Sequence, residues 1–457
     1  MTLLDDAIHV IDQAAALELR GTVTEVRGLA VRVIDLPVPI GSSVRIVPAR
    51  RGREEQSLIG EVVGFDREQT IVVPLGMTSG VSRGDTVIAE QYAQTVWVGD
   101  SLLGRVLDGL GNVMDGKPAP RDLMPWPLHS APVDPLDRPV IDTPLATGVR
   151  AIDALLCVGQ GQRLGIFAAP GVGKSTLLGT MVRHTAADVS VIALVGERGR
   201  EVRDFLENSL GEEGLASSVV VCATSDEPAL LRIRAALVAS AVAEYFRDRG
   251  RNVLLIMDSL TRFCQAQREV GLAAGEPPAT KGYPPSVFAS LPRLLERSGR
   301  TSRGSITGFY AVLVEGDDMN EPIADAARSI LDGHILLSRD LANKGHWPAI
   351  DVLGSISRVC DQVIDAEHNE ARREVLKLVS AYRQVEDLVN IGAYAAGSNP
   401  DFDLAIACKP IIDQLLQQGR SERVNGGFKA TRGLLMALRQ KLIATQQQLS
   451  RTFGQRR

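Results

Sequence analysis

Residues 163–175 read RLGIFAAPGVGKS, an apolar run that passes through a glycine-rich turn into Lys174 and Ser175. An apolar strand followed by Ala-x-x-x-x-Gly-Lys-Ser and a helical segment is the setting of a phosphate-binding loop. Successive backbone N–H groups of Gly171, Val172, Gly173 and Lys174, in a loop opened by Pro170, would form an anion nest, and the positive end of the following helix adds to it. Lys174 would pair with the β and γ phosphates, Ser175 would ligate Mg²⁺, and Thr176 continues the loop into the helix. The first motif position is Ala168 where the strict pattern has glycine; alanine is acceptable there if the strand exit keeps a negative φ.

Outward from this loop, buried-strand candidates alternate with longer helical stretches: 189–196, 218–224, 252–258, 305–314 and 333–338. They are apolar on both faces, as strands of a parallel sheet covered on each side are. The stretch at 252–258 ends in Asp258, a carboxylate that at the C-terminal edge of such a sheet can hold a Mg²⁺ shell or cap the next helix. GERGRE (196–201) leaves the same edge. A carboxylate there could orient the attacking water, although a solvated charge cluster opening a helix has the same composition.

Before the loop, six short Val/Ile/Thr runs between Gly21 and Glu90 favour a small closed sheet. Prolines crowd 118–144, which reads as an irregular connector. Past about Asn369, Leu, Ala, Gln and Glu recur at helical spacing. The expected organisation is therefore α/β, a P-loop core between an N-terminal β-barrel and a C-terminal helical domain. The divisions are 1–20 (a helix and possible partner segment), 21–95 (barrel), 96–150 (connector), 151–370 (nucleotide-binding domain) and 371–457 (helical domain).

The 457 residues carry 50 Lys+Arg against 55 Asp+Glu, a net charge of -5, so no bulk basic field draws the chain to nucleic acid or anionic lipid. Apolar runs such as Val219–Ala223 fall far short of the ~18 residues that a membrane-spanning helix needs. Asp5 and Asp6 stand where a secretory signal would be basic, and the expectation is a cytoplasmic protein. Five scattered cysteines without a CxxC pair suggest buried reduced thiols rather than disulfides or a zinc site.

Five longer stretches carry a resemblance: VGERGREVRDF, DSLTRF, PPATKGYPPSVFASLPRLLERSG, VEGDDMNEPIADAARSILDGHI and DVLGSISRV. Together they resemble the export ATPases of flagellar and type III secretion systems, relatives of the catalytic subunit of the rotary ATP synthase, over about residues 20 to 420. The resemblance implies a homohexameric ring with a RecA-like core and active sites between subunits, using ATP and Mg²⁺. In it Glu197 activates water, Arg198 and Glu201 support the site (Glu201 towards Mg²⁺ through water), Arg262 faces phosphate, and Arg358 is donated to the neighbour's nucleotide. Trp347 in GHWPAID falls where relatives carry an adenine-stacking tyrosine; core packing beside Pro348 is the other reading. For Arg358 the other reading is a cap or structural ion pair.

The wording of the 317–335 stretch resembles flagellar members, while 145–153 and the loop resemble virulence members as much. The resemblance also implies a regulator, a stalk protein, substrates or chaperones as partners, and peripheral association with a membrane export gate at the inner face. A rotary synthase subunit and an RNA-translocating hexameric ATPase share the core. Only 4% of residues are aromatic and the charge is acidic, which argues against an RNA-binding surface. A noncatalytic binding subunit sits poorly with Lys174, Ser175, Glu197 and Asp258 all present.

Overall fold

The computed structural model describes residues 18–49, 57–91, 94–314, 316 and 318–454. The helix expected at the N-terminus lies outside these residues up to position 17.

Six strands, β1 (Arg20–Arg27), β2 (Ala30–Ile34), β3 (Ser43–Val47), β4 (Leu58–Asp66), β5 (Gln69–Pro74) and β6 (Thr86–Gln91), close into a barrel in the order β1-β2-β5-β4-β3-β6. Alternate residues face inward, so Val31 and Val33, Val44 and Ile46, and Val62 and Val72 fill its interior. All six strands coincide with the expected apolar runs.

The central sheet is built from β7 (Arg105–Leu107), β8 (Arg163–Ala168), β9 (Val189–Glu197), β10 (Ser218–Thr224), β11 (Asn252–Asp258), β12 (Ser305–Leu313), β13 (Gly333–Leu337) and β14 (Ile356–Ser357). Their order is β14-β13-β8-β12-β11-β9-β10-β7, and Gly299–Arg300 pairs outside it with β12. β7 to β13 run parallel, whereas β14 is antiparallel to β13. Along β9, Val191, Ala193 and Val195 enter one core and Ile192 and Leu194 the other, which explains the unbroken apolar run. The first core is closed mainly by α2 (Ala229–Asp248), the second by α1 (Lys174–His184) and by the C-terminal helices α3 (Ala366–Asn390), α4 (Pro400–Leu416) and α5 (Gly427–Gly454).

Two boundaries differ from expectation. The stretch 96–150, expected as the connector, supplies β7 to the edge of the central sheet, locked by a two-pronged Arg105–Asp115 ion pair at 2.8 Å on each arm. Its proline-rich part also forms a ribbon, Met124–Pro127 against Thr95–Val98; a two-stranded ribbon tolerates proline because a residue without N–H can face outward. At the other end, α3 starts at Ala366, capped by Asp365, and runs through the division expected at 370/371. The composition changes gradually there, while the helix start is fixed by a single capping side chain. All five cysteines are buried free thiols.

Candidate active site

The C-terminal ends of β8, β9 and β11 meet at one sheet edge, where open α/β sheets bind their ligands. β8 ends at Ala168, which keeps a negative φ, so the departure from glycine costs nothing. The loop then needs glycine twice: Gly171 and Gly173 have φ of +82° and +85°. Between them Val172 is buried in the core and pins the loop. α1 starts directly at Lys174 with no acidic residue in its first turn, leaving the helix's positive end unopposed.

Lys174 Nζ forms an ion pair with both carboxylate oxygens of Asp258, the last residue of β11. Both groups are largely buried, with side chains 13% and 4% exposed. At the end of β9, Gly196 (φ +70°) forms a bulge, the register stepping from Val195↔Ala223 to Glu197↔Thr224. The bulge re-aims Glu197 out of the alternation. A Cβ at Gly196 would stand 2.9 Å from Cβ of Arg262, so glycine is required by conformation and by space.

Glu197 is pushed up to about 7, first by burial and then by the charge of Asp258, with Glu201 adding to the rise and Lys174 opposing it. A carboxyl group poised near neutrality suits proton abstraction. Arg262 sits in the first turn of the helix Leu260–Ala273, its own N–H accepted by Ser259 Oγ. One guanidinium nitrogen reaches Gln265 at 3.2 Å, while Nε is buried without a partner among the described residues. A buried donor left unpaired beside Gly196, at the C-terminal end of β9, fits an anionic ligand. Arg198 and Glu201 are exposed and pair with each other at 2.9 Å.

Trp347 lies over the loop from the other side: a Cβ at Gly173 would be 2.7 Å from its Cζ3. Trp347 is 42% exposed, far more than the residues of the core. It forms one wall of a cleft of about 490 Å³, with Gly171, Gly173, Thr176, Pro348 and the segment Gln418–Arg420 among the rest. This volume suits a small organic ligand. The segment 418–420 belongs to the α4–α5 loop and was missed in sequence; its QQGR run marks a helix interruption but gives no sign of which surface the loop meets.

Arg358 is not brought to this edge. It follows β14, and its N–H donates to Asp332 O at 2.9 Å, level with the start of β13. The loop emerges at the opposite end of the adjacent β8, five residues or about 17 Å along the strand. Among the described residues no group of three or more His, Cys, Asp or Glu side chains forms a metal-holding cluster. Ser175 and Asp258 are hard oxygen donors, the type that Mg²⁺ takes from proteins when phosphates and water complete its shell.

Sequence comparisons agree with this geometry. The ATP synthase alpha/beta family matches with its beta-barrel domain at 21–90 and its nucleotide-binding domain at 148–357, and the T3SS EscN ATPase C-terminal domain matches 364–436. The flagellum-specific ATP synthase of Bacillus subtilis (strain 168) is 51% identical over 415 residues, spanning 91% of this chain and 94% of that protein. The type 3 secretion system ATPase of Xanthomonas euvesicatoria is 51% identical over 399 residues, 87% and 89% of the two chains. Among solved structures, the assembled ATPase EscN from the enteropathogenic E. coli type III secretion system superposes with a TM-score of 0.86 at 44% identity, covering 92% of this chain and all of that one (100%). EscN has also been solved in complex with its central stalk EscO (TM-score 0.82, 43% identity, 92% and 100% coverage). The chain belongs to the ATP synthase alpha/beta family and is a P-loop ATPase of its flagellar and type III secretion branch.

Proposed function

We propose that this ATPase works as a homohexameric ring that hydrolyses Mg-ATP between subunits and energises protein export through a flagellar secretion apparatus. The observation that carries the chemistry is the Glu197 carboxyl group, poised near neutrality at the strand end beside the Lys174–Asp258 pair. In the 170–176 loop, residues 171–176 bind the phosphates through backbone N–H groups and the helix end, with Pro170 shaping the entry. Lys174 exchanges Asp258 for phosphate oxygens. Glu197 accepts the proton of the attacking water, and Arg262 offers its unpaired Nε–H to phosphate. Arg198 and Glu201 hold each other at the rim.

Ser175 and Asp258, with Glu201 through water, are the residues that would hold Mg²⁺, which neutralises charge on the β and γ oxygens when bound. Arg358, remote from its own loop, acts on the nucleotide of the neighbouring subunit.

The working divisions are 21–95 for the barrel, 151–370 for the nucleotide-binding domain and 371–457 for the helical domain, shifted at 366 by the start of α3. Residues 1–20 are taken as a partner segment. A stalk protein is supported by the EscN–EscO complex of a relative. An export regulator, substrates or their chaperones, and peripheral association with a membrane export gate from the cytoplasmic side complete the reading. Among the described residues no helix is long and apolar enough to cross a membrane, which is consistent with peripheral attachment. The acidic balance supports the absence of nucleic acid from the cycle.

The virulence injectisome is the second reading, favoured by the equal identity of the Xanthomonas relative. Deleting the gene in its host separates the two. Loss of flagellar filaments with intact secretion of other proteins supports the flagellar role; normal motility would overturn it.

A further inference from the structure

Arg150 of the central domain makes several of the bonds that tie the α4–α5 loop to the cleft beside Trp347. Its backbone N–H donates to Gln418 Oε1 at 2.8 Å and its Nε to Leu415 O at 3.1 Å. The rest of the guanidinium bonds Gln417 O and pairs with the carboxylate of Glu422. Arg150 thus satisfies carbonyls at the C-terminal end of α4 that the helix leaves open, and does so with a cation where the helix dipole favours one. Gln418 completes the joint. Its N–H donates to Trp347 O at 2.8 Å, and its Nε2 to Gly148 O at 2.9 Å and Glu422 O at 2.8 Å.

Every polar atom of the Gln418 side chain is therefore spent on holding the loop, although the residue lines the cleft. The Arg150 side chain is only 13% exposed and is not among the residues lining the cleft. We propose that Arg150 is a positioning residue: it seats the 417–422 segment as the wall facing Trp347, so that binding of the nucleobase and docking of the C-terminal helices are coupled. By linkage, base binding and docking of α4 and α5 onto the central domain strengthen each other by one and the same coupling factor. This inference rests on the reading of the Trp347 cleft as the base site.

The test compares Mg-ATP with Mg-tripolyphosphate, which has the phosphates without the base, by calorimetry on the full chain. Arg150→Ala should lose tenfold or more in ATP affinity and less than threefold in tripolyphosphate affinity. The KM for ATP should rise while kcat at saturation changes less than threefold, and Arg150→Lys, which keeps a charge and part of the donor set, should fall between parent and alanine variant. Equal losses on both ligands would mean a general structural role and overturn the proposal. Unchanged ATP affinity in Arg150→Ala with a loss in Trp347→Ala would remove Arg150 and leave the base cleft standing; no loss in either would remove both. Should Arg150→Ala fail to fold, hydrogen exchange on the parent decides: ATP must protect the amides of 417–422, and their indifference to ATP would overturn the coupling.

Discussion

Trp347 packs its indole against the backbone of Gly173, so closely that a single added methyl group would meet it at 2.7 Å. The glycine-rich loop and Trp347 are therefore in direct contact, although they stand far apart in sequence. Gly173→Ala suffers twice, through its φ of +85° and through this contact. Backbone strain of this type costs about 1–3 kcal/mol, so ATP affinity should fall roughly tenfold or more, measured by calorimetric titration. An unaltered affinity would show that the loop conformation is not the binding conformation.

Trp347 itself should contribute by stacking. Base stacking on an aromatic ring is worth about 1–3 kcal/mol in nucleic-acid sites. Trp347→Ala should weaken ATP binding about tenfold or more, whereas Trp347→Tyr stays near the parent. Neither Trp97 nor Trp126 lines the cleft, so the emission change on adding ATP should vanish in Trp347→Phe. A persisting response would place the indole outside the base site.

Glu197 should impose a pH limb on turnover. Its carboxyl group titrates near 7 because burial and Asp258 disfavour its charge, and only the deprotonated form accepts a proton. The kcat/KM for Mg-ATP, which reports the free enzyme, should therefore climb as pH rises from 6 to 8, with a midpoint near neutrality. Glu197→Gln should bind Mg-ATP yet turn it over at least a hundredfold more slowly. Residual activity in that variant that kept the same limb would assign the titration to another group.

Where the chain was readable, local chemistry was sufficient. The strands were legible because burial on both faces leaves no polar alternation, and the loop because glycine is needed at two positive-φ positions. Glu197 is ambiguous in sequence, since a carboxylate opening a helix looks the same as a base; the bulge at Gly196 and the nearby charge of Asp258, which raises its pKa, are visible only in the fold. Arg150, Gln418 and β7 were not legible. Each acts through a partner distant in the chain, and nothing in the residues around Arg105 announces that they will pair with β10.

A buried ion pair supports the far side of the central domain. Arg297 bonds both oxygens of Glu244 at 2.7 and 2.8 Å and Leu128 O at 2.9 Å, with side chains only 4% and 3% exposed. Removing one partner strands the other charge in a dry site, so Arg297→Ala should destabilise the fold by about 3–5 kcal/mol. Arg297→Met with Glu244→Leu should lose much less than either single variant, as read from denaturant midpoints. Additive losses in the double variant would show that the two charges are not coupled.

Arg358 provides the sharpest test of subunit cooperation. Its backbone is tied to Asp332 at the start of β13, whereas Lys174 follows the far end of β8, so no rotation of the arginine side chain joins them within one chain. Among the described residues Arg358 has no ion pair within the chain, and it is exposed, as a residue offered to a neighbour must be. Lys174→Ala and Arg358→Ala should each be inactive alone. In a mixture that exchanges subunits, some interfaces combine an intact Lys174 with an intact Arg358 from the next chain. Hydrolysis should return to a fraction of the parent rate that rises towards equal mixing and falls on either side. Exchange demonstrated by fluorescence transfer between labelled subunits, with no recovery of hydrolysis at any ratio, would place Arg358 outside the neighbour's site.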